Sequence, residues 1–202
     1  MATKQTRTEF DLIGAREIPM ECKYGVQTIR AIDNFPITGI GINRYPNIVK
    51  YLGVIKKAAA VANYETGKIS KEVYEGIVKG CDDVIAGKYN DQFPVDVIQG
   101  GAGTSTNMNA NEVIANLALE YMGHEPGQYE FCSPNDHVNG SQSTNDAYPC
   151  AVHLAMYADH LEMVKHLDML IESLEKKAEE YKNIIKMGRT QLQDAVPMTL
   201  GL

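Results

Sequence analysis

The chain has 202 residues, 44% of them hydrophobic, and a formal net charge of −7. This hydrophobic content suffices for a packed core, while the acidic balance and the lack of a Lys/Arg cluster with aromatic residues argue against a nucleic-acid partner. No apolar run approaches the roughly 18 residues of a membrane helix, so no membrane partner is expected. The four cysteines and five histidines show no metal-ligand spacing, which predicts a cytoplasmic protein with reduced thiols and no metal site.

The predicted elements begin with an arm over residues 9–20, which is either a short hairpin or irregular, because apolar residues flank Gly14 and a proline ends the segment. Loop residues dominate 21–43, with one short helix predicted over 27–32. Apolar residues at helical spacing then predict a helix over 46–67 that begins at a proline.

Two more helices follow. Ser70 is a suitable N-cap for a second helix that ends at Gly87, and a third helix is predicted over 107–122. A glycine-rich stretch, residues 100–111, precedes the third helix, and its Thr, Ser and Asn side chains are either helix caps or donors to a ligand. This stretch matches neither a Walker A loop nor the G-x-G-x-x-G pattern, so it does not predict a nucleotide site.

A long fourth helix is predicted over residues 149–182, roughly 50 Å at 1.5 Å per residue. Its apolar residues follow the three/four spacing of a helical bundle, and a helix of this length needs packing partners along its whole length. We therefore expect its apolar stripe to be buried against another chain. The stripe includes Met156, Leu167, Leu170 and Leu174.

Three polar stretches, residues 100–111, 140–146 and 188–197, precede predicted helices, the last of which is expected to begin at Pro197. Ser, Thr, Asn and Asp are typical helix caps, so each stretch alone is compatible with a non-catalytic helical scaffold. Helix starts also favour anions. A site built from all three stretches, rich in neutral donors and poor in Lys and Arg, would hold carboxylates.

The segments GGAGTSTNMNANEV, GSQSTNDAYP and GRTQLQDAVPMTLG, in this order, together resemble the fumarase/aspartase superfamily, and in detail its aspartase branch. The segment EFDLIGAREIPMECKYGVQTIRAIDNF resembles the opening arm of that family, so the resemblance covers essentially the whole chain. It implies a mainly α fold. Residues 1–142 would form an N-terminal helical domain with a short β arm, and residues 143–202 the start of the central helical bundle with its first long helix.

The resemblance also implies an activity, namely the reversible deamination of L-aspartate to fumarate and ammonia by a homotetramer. By motif, Thr104 corresponds to a residue that contacts the side-chain carboxylate and the amino group of the substrate. Ser143 and Thr144 correspond to the binders of the side-chain carboxylate, Asn145 to the residue that holds the amino group, and Thr190 to a binder of the other carboxylate. The chemistry requires no cofactor, and Mg²⁺ activation is a trait of the family.

Gln191 occupies a position where fumarases and some aspartases carry His. An amide neither donates a proton as an acid nor accepts one as a base, and hydroxide is a poorer leaving group than ammonia. Gln191 therefore favours deamination over class II fumarate hydratase activity, the alternative within the superfamily. The general-base serine of the family lies on a G-S-S-x-M-P-x-K-x-N-P loop that has no counterpart in these 202 residues. We therefore expect an N-terminal portion of a family member, with no catalytic residue of its own and little activity alone.

Overall fold

The computed structural model of the chain describes residues 5–202. Within that range the protein is mainly α-helical with two short β-hairpins, which confirms the expected fold class. Its internal contacts separate two compact units, Met1–Met156 and Tyr157–Leu202. The expected domain boundary between residues 142 and 143 stays a prediction, because these units reflect contacts within one chain only. No helix of the described range is both long and apolar enough to cross a membrane.

The first unit opens with an antiparallel hairpin of two strands, β1 (Thr6–Asp11) and β2 (Gly14–Pro19). The Asp11 carboxylate accepts hydrogen bonds from the backbone N–H groups of Ile13 and Gly14, at 2.9 and 3.1 Å, and so closes the turn. The predicted arm is therefore a hairpin rather than an irregular segment.

Four helices build the body of this unit, and their ends differ from the predicted ones by three residues or fewer. The four helices are α1 (Val26–Asn34), α2 (Pro46–Glu65), α3 (Lys71–Ile85) and α4 (Thr104–Tyr121). Ser70 accepts a hydrogen bond from the backbone N–H of Val73 at 3.3 Å and caps α3, as predicted. A short π-helical turn, Pro134–Val138, follows α4.

Helix α4 forms the axis of the core, because residues 106–119 are all buried. A helix that is buried on every side needs neighbours on every side. Helix α3 approaches it closely through two glycines. A Cβ atom at Gly76 would lie 3.1 Å from the carbonyl oxygen of Ala118, and one at Gly80 would lie 3.1 Å from Cβ of Leu117.

Glu112 of α4 joins this core to the start of α1. Its carboxylate accepts hydrogen bonds from the backbone N–H groups of Gly25, Gln27 and Thr28, at 2.8, 2.8 and 3.1 Å, and from the Thr28 hydroxyl at 2.7 Å. These are N–H groups that a helix start leaves without an intrahelical partner. Burial raises the pKa of Glu112 to about 7, although the four hydrogen bonds act in the opposite direction.

The last helix, α5 (Thr144–Tyr181), begins at Thr144 rather than at the predicted Pro149. The Ser143 hydroxyl accepts a hydrogen bond from the backbone N–H of Asn145 at 3.2 Å, and the Asp146 carboxylate accepts one from the backbone N–H of Ser143 at 3.0 Å. This reciprocal pair resembles a capping box and starts the helix upstream of the proline. Pro149 then lies in the second turn, where its missing N–H leaves one carbonyl without its usual donor.

The second unit contains the rest of α5 and an antiparallel hairpin of β3 (Ile185–Thr190) and β4 (Gln193–Thr199). The expectation that Pro197 would begin another helix is wrong, since Pro197 lies in β4 opposite Met187. A proline is tolerated in an edge strand, where its missing N–H interrupts no further ladder.

The apolar stripe of α5 is exposed in this chain. The exposed fractions of Met156, Leu167, Leu170 and Leu174 are 63%, 48%, 53% and 60%. An exposed row of large apolar side chains is typical of an interface, so its burial against another chain stays a prediction.

Candidate functional site

A pocket in the first unit joins the two polar stretches that precede α4 and α5. Its volume is about 620 Å³, and its lining comes from the glycine-rich turn, the segment before it and the first two turns of α5. Segments more than 40 residues apart in the sequence therefore meet at one place. The lining residues are Val97, Ile98, Gln99, Gly101, Ala102, Gly103, Asn145, Tyr148 and Pro149.

The glycine-rich turn needs glycine for its backbone and for its contact with α5. Gly101 and Gly103 have φ values of +77° and +94°, which side-chain-bearing residues rarely adopt. Gly103 also packs against the ring of Tyr148, where a Cβ atom would lie 2.3 Å from Cδ1. The Gln99 side chain holds the turn from the other side, because its Oε1 accepts a hydrogen bond from the backbone N–H of Thr106 at 2.9 Å.

One side-chain hydrogen bond connects α4 and α5 at their starts. The Nδ2 atom of Asn107 donates to Oγ1 of Thr144 at 3.1 Å and to Oδ1 of Asn139 at 3.1 Å. The two helix N-termini, each with a positive end of its macrodipole, are thereby fixed beside each other. Such an arrangement suits a negatively charged ligand.

A buried lysine holds the second polar stretch from behind. Lys56 of α2 is completely buried, and its Nζ donates to Oδ1 of Asn139 at 2.8 Å and to Oε1 of Gln142 at 3.0 Å. Burial lowers the pKa of Lys56 to about 7, and the acidic groups of Cys81 and Asp146 oppose the decrease. The lysine thus brings a partly protonated amine close to the start of α5 without forming an ion pair.

Asn63, about two turns further along α2, fixes the same stretch. Its Nδ2 donates to the carbonyl oxygen of Gly140 at 2.9 Å, and its Oδ1 accepts a hydrogen bond from the Ser141 hydroxyl at 2.8 Å. Ser141 has a φ of +60°, which its bonds to α2 help to maintain.

The structure places the predicted site residues in both units. In the first unit Thr104, Ser143 and Asn145 are exposed and Thr144 is half-buried. Asn145 lines the pocket, and Thr104 directly follows its glycine turn. Ser143 uses one oxygen lone pair as a helix cap, but its hydroxyl hydrogen remains a donor, so the cap and donor interpretations are compatible.

Thr190 and Gln191 belong to the second unit. Thr190 ends β3 and Gln191 begins the turn to β4, and both are exposed. Gln191 and Leu192 have positive φ values of 50° and 63°, as expected for the central residues of a tight hairpin turn.

Sequence reasoning missed the residues that support the site from behind. Lys56 lies in an ordinary-looking Lys-Lys pair, and Asn139 directly precedes the GSQSTNDAYP segment, in which Tyr148 was assigned no role. The spacing of residues in α2 could have indicated that Lys56 is buried. Val49, Lys56 and Asn63 are spaced seven residues apart and therefore share one face of α2, all of them buried.

No group of three His, Cys, Asp or Glu side chains in residues 5–202 lies close enough together to hold a metal ion. The donor set of the pocket, made of amides, hydroxyls and backbone N–H groups, also differs from the carboxylate ligands that Mg²⁺ prefers. These residues therefore do not fit the ion, and Mg²⁺ activation stays a prediction.

Comparison with known proteins identifies relatives over nearly the whole chain. A family model described as "Lyase" matches residues 14–202. Aspartate ammonia-lyase from Helicobacter pylori is 57% identical over 195 residues, which cover 96% of this chain and 42% of that protein. Aspartate ammonia-lyase from Escherichia coli K12 is 55% identical over 196 residues, which cover 96% of this chain and 41% of that protein.

Solved structures of lyases are also similar to this chain. A fumarate lyase:delta crystallin from Brucella melitensis, bound to cobalt, has a TM-score of 0.86 and 52% sequence identity, and the match covers 98% of this chain and 43% of that protein's chain. A class II fumarase from Schistosoma mansoni has a TM-score of 0.79 and 38% identity and covers 98% of this chain and 41% of its own. The chain spans about two fifths of the length of the curated relatives it matches. These matches, together with the glycine turn and the polar start of α5, show that the chain belongs to the fumarase/aspartase superfamily of lyases.

Proposed function

We propose that the chain supplies carboxylate-binding segments to aspartate ammonia-lyase chemistry, the reversible removal of ammonia from L-aspartate to give fumarate. The observation that carries this proposal is the pocket at which the turn from Gly101 to Gly103 meets Asn145 and Tyr148. Two helix starts meet there with the neutral side chains of Gln99, Asn145 and Tyr148, and no Lys or Arg among residues 5–202 lines it. Such a site binds a carboxylate through directed hydrogen bonds rather than through an ion pair.

The reaction explains the need for such donors. The proton to be removed lies on a carbon beside a carboxylate, and its removal builds further negative charge on that carboxylate. Donors that are fixed beforehand stabilise the charge as it develops, and losing one of them typically costs about 2.7–4 kcal/mol. In this proposal Ser143, Thr144 and Thr104 bind the side-chain carboxylate, Asn145 holds the amino group, and Thr190 binds the other carboxylate.

Deamination fits the chain better than hydration does. Ammonia leaves from the ammonium form without a strong acid, whereas hydroxide requires a proton donor, which Gln191 cannot be. The identity to aspartate ammonia-lyases, 57% and 55%, also exceeds the 38% identity to the Schistosoma fumarase. Class II fumarate hydratase activity is the second candidate, and the similarity to that fumarase structure is the observation that favours it.

Two further properties belong to the proposal. The 202 residues have no counterpart of the serine loop that carries the general base in the family, and general base catalysis is worth about 10²–10⁴-fold. We therefore expect little deamination by this chain alone. The exposed stripe of α5 would be covered in a cytoplasmic homotetramer, and sedimentation of a clean monomer at high protein concentration would contradict that assembly.

Stereospecific ligand protection tests the proposed function. A ligand that binds the folded state raises the free energy of unfolding by RT ln(1 + [L]/Kd), about 2.7 kcal/mol at a hundredfold excess over Kd. We expect L-aspartate and fumarate to raise the melting temperature, while D-aspartate, with the same charges, does not. The Asn145→Leu variant should lose the shift with L-aspartate, because Asn145 is assigned to the amino group, and should keep most of the shift with fumarate, which has no amino group. Equal shifts by both enantiomers, or none, would support the scaffold alternative, and protection by L-malate without L-aspartate would support the fumarase alternative.

A further inference from the structure

Three side chains outside the predicted site form a continuous hydrogen-bonded chain that ends at Thr144. Lys56 Nζ contacts Asn139 Oδ1 at 2.8 Å, the same oxygen accepts from Asn107 Nδ2 at 3.1 Å, and Asn107 Nδ2 donates to Thr144 Oγ1 at 3.1 Å. Lys56 and Asn107 are 0% and 1% exposed. Water therefore does not reach these two side chains, whereas Asn139 and Thr144 are half-buried.

The lysine determines the orientation of both amides. A protonated Lys56 has three N–H donors and no acceptor, so the atom of Asn139 that faces Nζ is its carbonyl oxygen and not its NH₂ group. The NH₂ group of Asn139 donates to the carbonyl oxygen of Gln142 at 3.3 Å, which favours the same orientation when Lys56 is neutral. Oδ1 of Asn139 in turn requires a donor from Asn107, which places Nδ2 of Asn107 toward it. The same NH₂ group has a second hydrogen, and this hydrogen meets Oγ1 of Thr144.

Because Asn107 donates to Thr144, the oxygen of the Thr144 hydroxyl already accepts one hydrogen bond. Within residues 5–202 its hydrogen has no acceptor, so the O–H group is left to donate outward from the half-buried side chain. A freely rotating hydroxyl can present either its lone pairs or its hydrogen to a ligand. The bond from Asn107 occupies one of the two lone pairs of Thr144 Oγ1 and turns its hydrogen away from Nδ2, which favours the donor role that a carboxylate requires.

A buried acceptor without a hydrogen-bond partner supports this orientation of Asn107. Oδ1 of Asn107 is buried and has no hydrogen-bond partner within the described residues, and a buried unpaired acceptor costs about 1–3 kcal/mol. Rotation of the amide by 180° would instead place that oxygen against Oδ1 of Asn139 and Oγ1 of Thr144. Lys56 prevents the compensating rotation of Asn139, so the orphan acceptor is the consequence of the orientation that the lysine imposes.

We propose that Lys56, Asn139 and Asn107 are positioning residues that set the Thr144 hydroxyl as a preorganised donor to a substrate carboxylate. The proposal rests on the proposed function, because it requires a carboxylate at Thr144. None of the three contacts the ligand, and their effect on binding passes through the Thr144 hydroxyl.

A double-mutant cycle with succinate, an unreactive dicarboxylate, tests the relay. The succinate dissociation constant is measured calorimetrically for the unmodified chain, Asn107→Leu, Thr144→Val and the double variant. We expect Asn107→Leu to weaken binding roughly tenfold, in line with the loss of one directed hydrogen bond to a charged group. The double variant should bind no more weakly than Thr144→Val, because the amide acts only through the hydroxyl.

Lys56→Met should weaken succinate binding as well, whereas the matched variant Lys57→Met should not. Lys57 is the same type of residue, adjacent on the same helix, but it pairs with Asp82 at the surface. Circular dichroism checks folding, and Asn107→Ser replaces Asn107→Leu in the cycle if the latter does not fold. Independent, multiplying effects of the Asn107 and Thr144 substitutions would overturn the relay and leave the proposed function intact. Failure of the unmodified chain to bind succinate would overturn both.

Discussion

A Cβ atom at Gly103 would lie 2.3 Å from Cδ1 of Tyr148, so the glycine turn before α4 touches the start of α5 without room for a side chain. The contact closes one wall of the pocket, since both residues line it. The relative position of the two helix starts therefore depends on the absence of a side chain at Gly103 as well as on hydrogen bonds.

Gly103→Ala should separate the two walls and destabilise the fold. Overpacking typically costs about 1–3 kcal/mol, and the φ of +94° adds backbone strain. Urea unfolding measures the loss. Gly39→Ala is the matched control, because Gly39 also has a positive φ, +71°, but a Cβ there meets nothing within 4 Å. If the two variants lose the same stability, the contact with Tyr148 contributes nothing.

Glu112→Gln should loosen the start of α1. One carboxylate oxygen becomes an NH₂ group that faces backbone donors, and hydrogen bonds to charged groups are worth about 1.5–3 kcal/mol. At pH 8, above the pKa of Glu112, we expect a loss of that order in the free energy of unfolding and faster amide exchange at Gln27 and Thr28.

Glu120→Gln is the control for that substitution. Glu120 lies on the same helix but pairs with Lys23 near the surface, where ion pairs contribute about 0–1 kcal/mol. Unchanged amide exchange in Glu112→Gln would show that the helix start is held by other contacts.

Lys56 should give the stability of the protein a specific pH dependence. Burial lowers its pKa from 10.5 to about 7, so between these values the unfolded chain binds more protons than the folded one. The free energy of unfolding must then rise with pH, by up to about 1.4 kcal/mol per pH unit. The interval from pH 7.5 to 8.5 is informative, because it lies between the folded and unfolded pKa values of Lys56, and comparison with a variant that lacks Lys56 cancels the contributions of other groups such as Glu112 and Cys81.

The measurement compares urea unfolding at the two ends of this interval. The unmodified chain and Lys57→Met should gain stability from pH 7.5 to 8.5 relative to Lys56→Met. Equal gains in all three proteins would mean that Lys56 keeps an ordinary pKa in the folded state.

The helices could be predicted from the sequence because local patterns determine them. Ser70 caps α3, Pro46 begins α2, and the glycine turn precedes α4, all within a few residues of the expected positions. Prolines are the less reliable signal, because a proline suits the first turn of a helix but also fits other places. The Ser143 and Asp146 cap starts α5 upstream of Pro149, and Pro197 lies in an edge strand.

Local patterns could not predict that Lys56 and Asn63 hold the site from behind, because this role depends on contacts between segments that are distant in the sequence. The apolar spacing that predicts α2 implies a core face made of apolar residues, yet Ala62 of this helix is exposed and Lys56 is completely buried. Polar residues occupy a buried helix face only when a partner satisfies them. Here the partners are in the second polar stretch, about 80 residues away, and no local pattern indicates them.

The turn at Gln191 and Leu192 is expected to carry backbone strain, because both residues have a positive φ. Leu192 is 96% exposed, so no packing compensates for its φ of 63°, and a left-handed backbone costs a residue with a side chain roughly 1–2 kcal/mol. Leu192→Gly removes that cost, while glycine loses about 0.5–1 kcal/mol through its greater freedom in the unfolded chain. We therefore expect slower amide exchange in the β3–β4 hairpin, with a net gain of up to about 1.5 kcal/mol in the stability of the hairpin. Val196→Gly, an exposed position within β4, should speed that exchange instead. If both glycine variants speed it equally, the turn stores no strain, and Gln191 owes its position to the strands alone.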